Sequence, residues 1–144
     1  MKKIMLTIVV LGGVLNNGQL MAQTIKSNAV PPRVTLALKQ KYPQATKITW
    51  EKEKGNFEAN WGGKSGEDMS VMFSPAGAFI EQVAAIPVSA LPSGISVYVK
   101  THYKGAKVSE AGKITDANGA TKYEAEVKGK DLIFNEKGNF LKED

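Results

Sequence analysis

The chain has 144 residues, 42% of them apolar and 23% charged, with a formal net charge of +5. That is enough apolar material for one conventional core, within the usual domain range of about 50–250 residues. No cysteine is present, which excludes disulfides, thiolate metal sites and a thiol nucleophile, and Arg33 is the only arginine, which argues against a guanidinium clamp for phosphate or carboxylate.

Residues 1–22 read as a secretory signal peptide. Lys2 and Lys3 form the basic start, Ile4 to Leu15 is mostly apolar, and Leu20-Met21-Ala22 offers small-residue cleavage before Gln23. The apolar run is shorter than the roughly 20 residues of a membrane-spanning helix. No cysteine follows the cleavage point, so the expected product is a periplasmic or secreted protein without a lipid anchor and without membrane insertion. Losing Lys2 and Lys3 lowers the net charge to +3. The remaining charges are mixed in sign along the chain, unlike the clustered basic face of a nucleic-acid binder.

Residues 23–33 are polar and small without periodicity and read as a flexible leader. Pro31-Pro32 marks the start of order, since proline suits the first turn of a helix. Val34, Leu38 and Tyr42 recur every fourth residue, which predicts a short amphipathic helix stopped by Pro43. The period then changes from 3.6 to 2. Ile48 and Trp50 alternate with charged or polar neighbours, as do Phe57, Ala59 and Trp61, followed by strands around Met69–Phe73 and Ala78–Ala84. A second helix follows Leu91-Pro92, with Ser93 as its expected N-cap and Ile95, Tyr98, Val99, His102 and Tyr103 on its stripe. Strands are expected at 108–115, at 122–127 and around 132–134 and 140.

The second half repeats the first. Tyr42, Ala45, Phe73, Gly77 and Phe79 each meet a counterpart 61 positions later, at Tyr103, Ala106, Phe134, Gly138 and Phe140. Lys54-Gly55 and Asn118-Gly119 read as hairpin turns, and Ser74-Pro75-Ala76-Gly77 and Asn135-Glu136-Lys137-Gly138 as longer ones. The expected fold class is α+β, one domain over 34–144 made of two repeats, 34–87 and 88–144. Each repeat is a helix plus about four antiparallel strands, fused into one eight-stranded sheet with both helices on one face.

Tyr42-Pro43, Ile48-Thr49-Trp50, Asn56-Phe57-Glu58-Ala59, Phe73 with Gly77, Leu91-Pro92, and Tyr123-Glu124-Ala125-Glu126-Val127 with Phe134 and Gly138 carry a resemblance. Over about residues 34–142 the chain resembles the PepSY-like families, and more narrowly the beta-lactamase-inhibitor-like, PepSY-like proteins of bacterial envelopes. The resemblance implies an exported, non-enzymatic module that binds or inhibits a protein such as a peptidase. The disulfides of the lactamase inhibitors are missing here, so it implies architecture rather than lactamase inhibition.

The chemistry-bearing motifs resolve mostly into turns. Gly62-Gly63-Lys64-Ser65-Gly66 lacks the earlier glycine and the following helix of a phosphate loop, and Asp116-Ala117-Asn118-Gly119 lacks the downstream carboxylate of a calcium loop. His102, the only histidine, reads as a partly buried packing residue, since a lone histidine makes no metal site. No cofactor or metal is expected. Glu51, Glu53, Glu58, Glu124 and Glu126 read as a solvated sheet face. The candidate partner-binding residues are Trp50, Asn56, Glu58, Met72, Glu124, Glu126 and Ile133, taken as exposed on a sheet face that no helix covers. Dimerisation through that face is the competing use of it. The alternative function is small-ligand binding between helices and sheet, in a pocket lined by Tyr42, Tyr98, His102 and Tyr103.

Overall fold

A computed structural model of the protein describes residues 22–144; the segment read as a signal peptide lies outside the described residues up to residue 21. The described residues form two α-helices and nine strands, and the strands follow one another in the sheet in chain order. The chain divides into two compact units with the boundary between Gln82 and Val83.

The first unit opens with β1 (Gln23–Ile25), which pairs antiparallel with β2 (Thr49–Glu53). A 3-10 turn at Ser27–Ala29 leads to α1 (Pro32–Lys41). Residues 23–33 are therefore not a leader without regular structure. Three residues cannot show a periodicity, and the strand is defined by its partner Trp50-Glu51-Lys52 rather than by its own pattern. Pro31 stands at the N-cap and Pro32 at the first helical position, where a missing N–H costs nothing. The helix ends as the Tyr42 N–H bonds to the Leu38 carbonyl. After β2 come β3 (Asn56–Trp61) and β4 (Met69–Phe73), each antiparallel to its predecessor. Val34 and Leu38 press on Trp50, Phe57, Ala59, Trp61, Val71 and Phe73. Phe79, which opens β5 (Phe79–Ile86), meets Phe73 edge-on at 6.3 Å.

The second unit starts inside β5. A 3-10 turn at Val88–Ala90 precedes α2 (Ser93–His102), then β6 (Val108–Asp116), β7 (Thr121–Val127), β8 (Lys130–Asn135) and β9 (Phe140–Glu143). Pro92 rather than Ser93 occupies the N-cap, and Ser93 is the first helical residue. Ile95 and Val99 pack on Ala125, Val127, Leu132 and Phe134. Tyr98 lies between the His102 ring at 4.0 Å and the Phe140 ring at 4.7 Å, and meets Phe134 edge-on.

The described residues hold nine strands, not eight, and the numbering explains the extra one. Helix α1 (32–41) returns 61 positions later as α2 (93–102), and the 3-10 turn at 27–29 returns at 88–90. On the same spacing β1 (23–25) corresponds to 84–86, the second half of β5. Each unit thus begins with a strand before its helix, and β5 supplies the last strand of one unit and the first of the next.

The turns divide into two kinds. Lys54-Gly55 and Lys128-Gly129 have positive φ at both residues, as a two-residue type I′ hairpin requires. Asn118-Gly119 differs from its expected form, because only Gly119 has positive φ. Asp116 Oδ1 accepts the N–H groups of Asn118 and Ala120 and pulls the turn into a longer loop. Asn135 Oδ1 does the same for Lys137 and Asn139. Gly77 is held against backbone: it has φ +84°, and a Cβ there would lie 2.7 Å from the Arg33 carbonyl oxygen.

Gly77→Ala combines left-handed strain with a backbone clash, whereas Gly55→Ala has φ +83° and open space. Each substitution carries about 1–3 kcal/mol of strain, and Gly77→Ala should be the more destabilising by at least about 1 kcal/mol in urea unfolding. Phe73→Ala and Phe134→Ala, each at most 1% exposed, should cost about 3–5 kcal/mol.

Candidate functional site

Register decides which residues share a face. In the first unit Trp50 stands opposite Ala59, and Lys52 opposite Phe57, so Trp50 points to the α1 side with the core. It is 4% exposed. Trp50 therefore does not belong to the face away from the helix, and its role as an exposed anchor is corrected. Ile48 is the only other apolar residue at this parity in the segment, too little to fix a facing by itself, and the pairing with β3 sets it.

The face away from α1 carries Glu51, Glu53, Asn56, Glu58, Asn60, Ser70 and Met72, by the pairs Glu51–Glu58, Glu53–Asn56, Glu58–Met72 and Asn60–Ser70. In the second unit the corresponding face carries Gly112, Lys122, Glu124, Glu126, Asp131 and Ile133, by the pairs Gly112–Glu124, Glu124–Ile133 and Glu126–Asp131. The structure thus brings Asn56, Glu58 and Met72 together in one unit, and Glu124, Glu126 and Ile133 together in the other.

It does not leave them exposed. Glu58 is 1% exposed, Met72 0%, Glu124 3% and Ile133 4%, while Asn56 and Glu126 are half-buried. The expected solvated face is corrected on this point. Glu58 sits between Glu51 of β2 and Met72 of β4, and Glu124 between Gly112 of β6 and Ile133 of β8. An apolar side chain beside each carboxylate removes water that alternation of polarity alone would assign to it. Alternation reports which side meets the helix, not which side meets solvent.

The chemistry of these acids follows from that burial. Desolvation pushes the Glu58 carboxyl up from 4.5 to about 8, against the lowering effect of the hydrogen bond that the Ser70 hydroxyl donates to it. Glu51, Glu53 and Glu67 add like charge. Glu124 is raised well above the ordinary carboxylate range, first by burial and then by Asp131. Asp131 rises to about 6, also chiefly through burial, with Glu126 adding repulsion and Glu124 a compensating hydrogen bond. Burial and the neighbouring Asp131 both disfavour a charge on Glu124. Burial thus favours the protonated form of both Glu58 and Glu124, which stand in equivalent settings.

Two residues of this arrangement escaped sequence reading. Ser70 was masked by its place in an apolar strand, and Asp131 by the Lys128–Lys130 turn. Laying β3 against β4 from the hairpin between them would have placed Ser70 beside Asn60 and diagonal to Glu58.

The ligand-pocket residues fall in different units: Tyr42 in the first, Tyr98, His102 and Tyr103 in the second. Tyr42 packs on Trp61 at 5.2 Å and donates its hydroxyl to Gln82 Oε1. Tyr103 donates to Glu143 Oε2 at 2.6 Å, which raises its phenol to about 12. His102 is exposed rather than partly buried, with Nδ1 2.9 Å from the Tyr98 carbonyl oxygen. These rings and hydroxyls are engaged with protein groups. Around Gly62–Gly66, the Asp68 carboxylate lies against Gly63, and a carboxylate at that place repels phosphate. Among the described residues, no three His, Cys, Asp or Glu side chains are grouped to hold a metal ion, and no helix is long and apolar enough to cross a membrane.

Comparison with known proteins agrees with this architecture. The family model "Putative beta-lactamase-inhibitor-like, PepSY-like" matches twice, over residues 19–81 and 65–142. A BLIP-like protein from Bacteroides fragilis has a similar structure, with 26% identity, TM-score 0.60, and 79% of this chain and 85% of that chain covered. A putative periplasmic protein from Bacteroides eggerthii shares the fold at 20% identity and TM-score 0.68, covering 80% of this chain and 88% of that one. A Bacteroides uniformis protein does so at 19% identity and TM-score 0.67, with 79% and 88% covered. No curated protein matches the sequence.

Because Glu58, Glu124 and Asp131 all have raised values, the folded protein binds more protons than the unfolded chain above about pH 4.5. Stability should therefore be greatest at acid pH and fall as pH rises toward 8, by roughly 3–5 kcal/mol for Glu58 alone. Glu58→Gln should flatten this part of the profile and stabilise the protein at pH 8. Urea unfolding from pH 4.5 to 8.5 checks it; a wild-type profile rising with pH would contradict the assignment.

Proposed function

This chain belongs to the beta-lactamase-inhibitor-like, PepSY-like family, and on that premise we propose that it is an exported, non-enzymatic protein-binding module that modulates a partner through the sheet face away from the helices. In this reading the chain consists of two copies of one unit, each giving that face one desolvated carboxylic acid. The observation that carries it is the matched pair of buried carboxyl groups, Glu58 and Glu124, kept beside Met72 and Ile133 where packing alone would favour apolar residues. Keeping such acids lowers stability at neutral pH, and that kind of cost is concentrated at functional sites.

In each unit the half-buried residue, Asn56 or Glu126, is the accessible contact, beside the buried Glu58 and Met72 in the first unit and the buried Glu124 and Ile133 in the second. The partner is a protein of the envelope or the extracellular space. Likeness to a BLIP-like protein and to a putative periplasmic one supports both the class of function and the compartment. The small-ligand reading lacks a comparable observation, because the tyrosines that would line the pocket already bond to Gln82 and Glu143.

The test uses residues 23–144 as bait for native envelope proteins, beside Glu126→Lys and an Asn56→Lys, Glu126→Lys double variant. Both positions are half-buried, so the variants should fold. A partner retained by the wild type should be lost at least tenfold by the double variant. Equal retention by all three would remove the sheet face from the interaction.

A further inference from the structure

Glutamine 23 combines three properties. It directly follows the Leu20-Met21-Ala22 cleavage signal, it is the first residue of β1, and its side chain is exposed. On the export reading proposed above, it becomes the N-terminal residue of the mature chain. An N-terminal glutamine holds a nucleophile and an electrophile within one residue: its α-amine lies four bonds from the side-chain amide carbon, the spacing that closes a five-membered ring. We infer that Gln23 is a modification site and that the mature protein begins with pyroglutamate.

The step balances without oxidant or co-reactant. The α-nitrogen attacks the side-chain Cδ and the new N–C bond closes a lactam. The bond from Cδ to the side-chain nitrogen breaks, and ammonia leaves with the proton given up by the α-amine. The free amine would be an ammonium at neutral pH, and the lactam is neutral.

The local structure gives this change a consequence. Gln23 stands directly opposite Lys52 on β2, and Lys26 follows β1. A free N-terminal ammonium would add a positive charge at the end of a three-residue strand that already faces a lysine. Like charges directly across a strand pair are destabilising, and a short terminal strand frays readily. Cyclisation removes the charge, keeps one N–H on the ring nitrogen, and leaves Thr24 and Ile25 free to pair with Glu51 and Trp50. It also leaves the chain without a substrate amine for aminopeptidases, which would otherwise shorten β1 from its end.

The experiment is mass spectrometry of the N-terminal peptide from the mature protein, purified from the envelope of its native host. The expected peptide begins at Gln23, is lighter by one ammonia, and resists aminopeptidase until a pyroglutamyl peptidase removes the ring. A peptide beginning at Gln23 with an intact side chain and a free amine overturns the inference and leaves export standing. A chain cleaved at another residue overturns the inference alone, and one retaining Met1 overturns both. Gln23→Asn provides the control, since asparagine would have to close a strained four-membered ring. Its peptide should keep its full mass and free amine, and the same loss of ammonia there would place the reaction at another residue and refute the assignment.

Discussion

Within each unit one contact organises the rest: two aliphatic side chains one helical turn apart packed with a phenylalanine in the last two residues of a strand. Val34 and Leu38 do this with Phe73, Ile95 and Val99 with Phe134. Without disulfides, the short helices have no other means of staying ordered, since ten residues make a marginal helix in water. The strand must end where it does for the phenylalanine to sit under the helix, and the following turn must reverse at once so that Phe79 or Phe140 can cover its ring. Gly77 is fixed by the same demand, with the Arg33 carbonyl of α1 lying where a side chain would begin.

That dependence explains why so much of the fold was legible. A helix that must bury two positions per unit writes them at i and i+4, and strands packed on it write period two. Turns with obligatory backbone shapes write glycine. Both helices, eight of the nine strands and the longer hairpins at Ser74 and Asn135 were readable for these reasons. Strand β1 was not, because three residues carry no period and its place is set by β2. Asn118-Gly119 misled in a small way, because the Asp116 carboxylate outcompeted the dipeptide's own preference.

The candidate site was legible in membership and not in environment. Asn56, Glu58 and Met72 share a face, as do Glu124, Glu126 and Ile133, because parity along a strand is a property of the sequence. Exposure is not, since it depends on which side chains stand in the neighbouring strands. Met72 and Ile133 are apolar residues out of phase with the core positions of their strands, a sign in the sequence that this face is not simply wet. Trp50 shows the converse error: its strand offered too few apolar neighbours to fix a facing, and only pairing with Ala59 turned it inward.

The boundary inside β5 has a consequence for how such a chain can change over time. Most domains meet in a loop, which absorbs an added or lost residue. Here Gln82, which accepts the Tyr42 hydroxyl, is followed immediately by Val83, which lies against Gly112 of the other unit's first hairpin. Successive residues of a strand face opposite ways, so a single insertion between these two would turn every later side chain of β5 to the wrong side. Length variation in this family of shapes should therefore gather in the hairpins, as the longer loop before β7 already illustrates beside the Lys54-Gly55 turn before β3, while the seam itself keeps a constant count of residues.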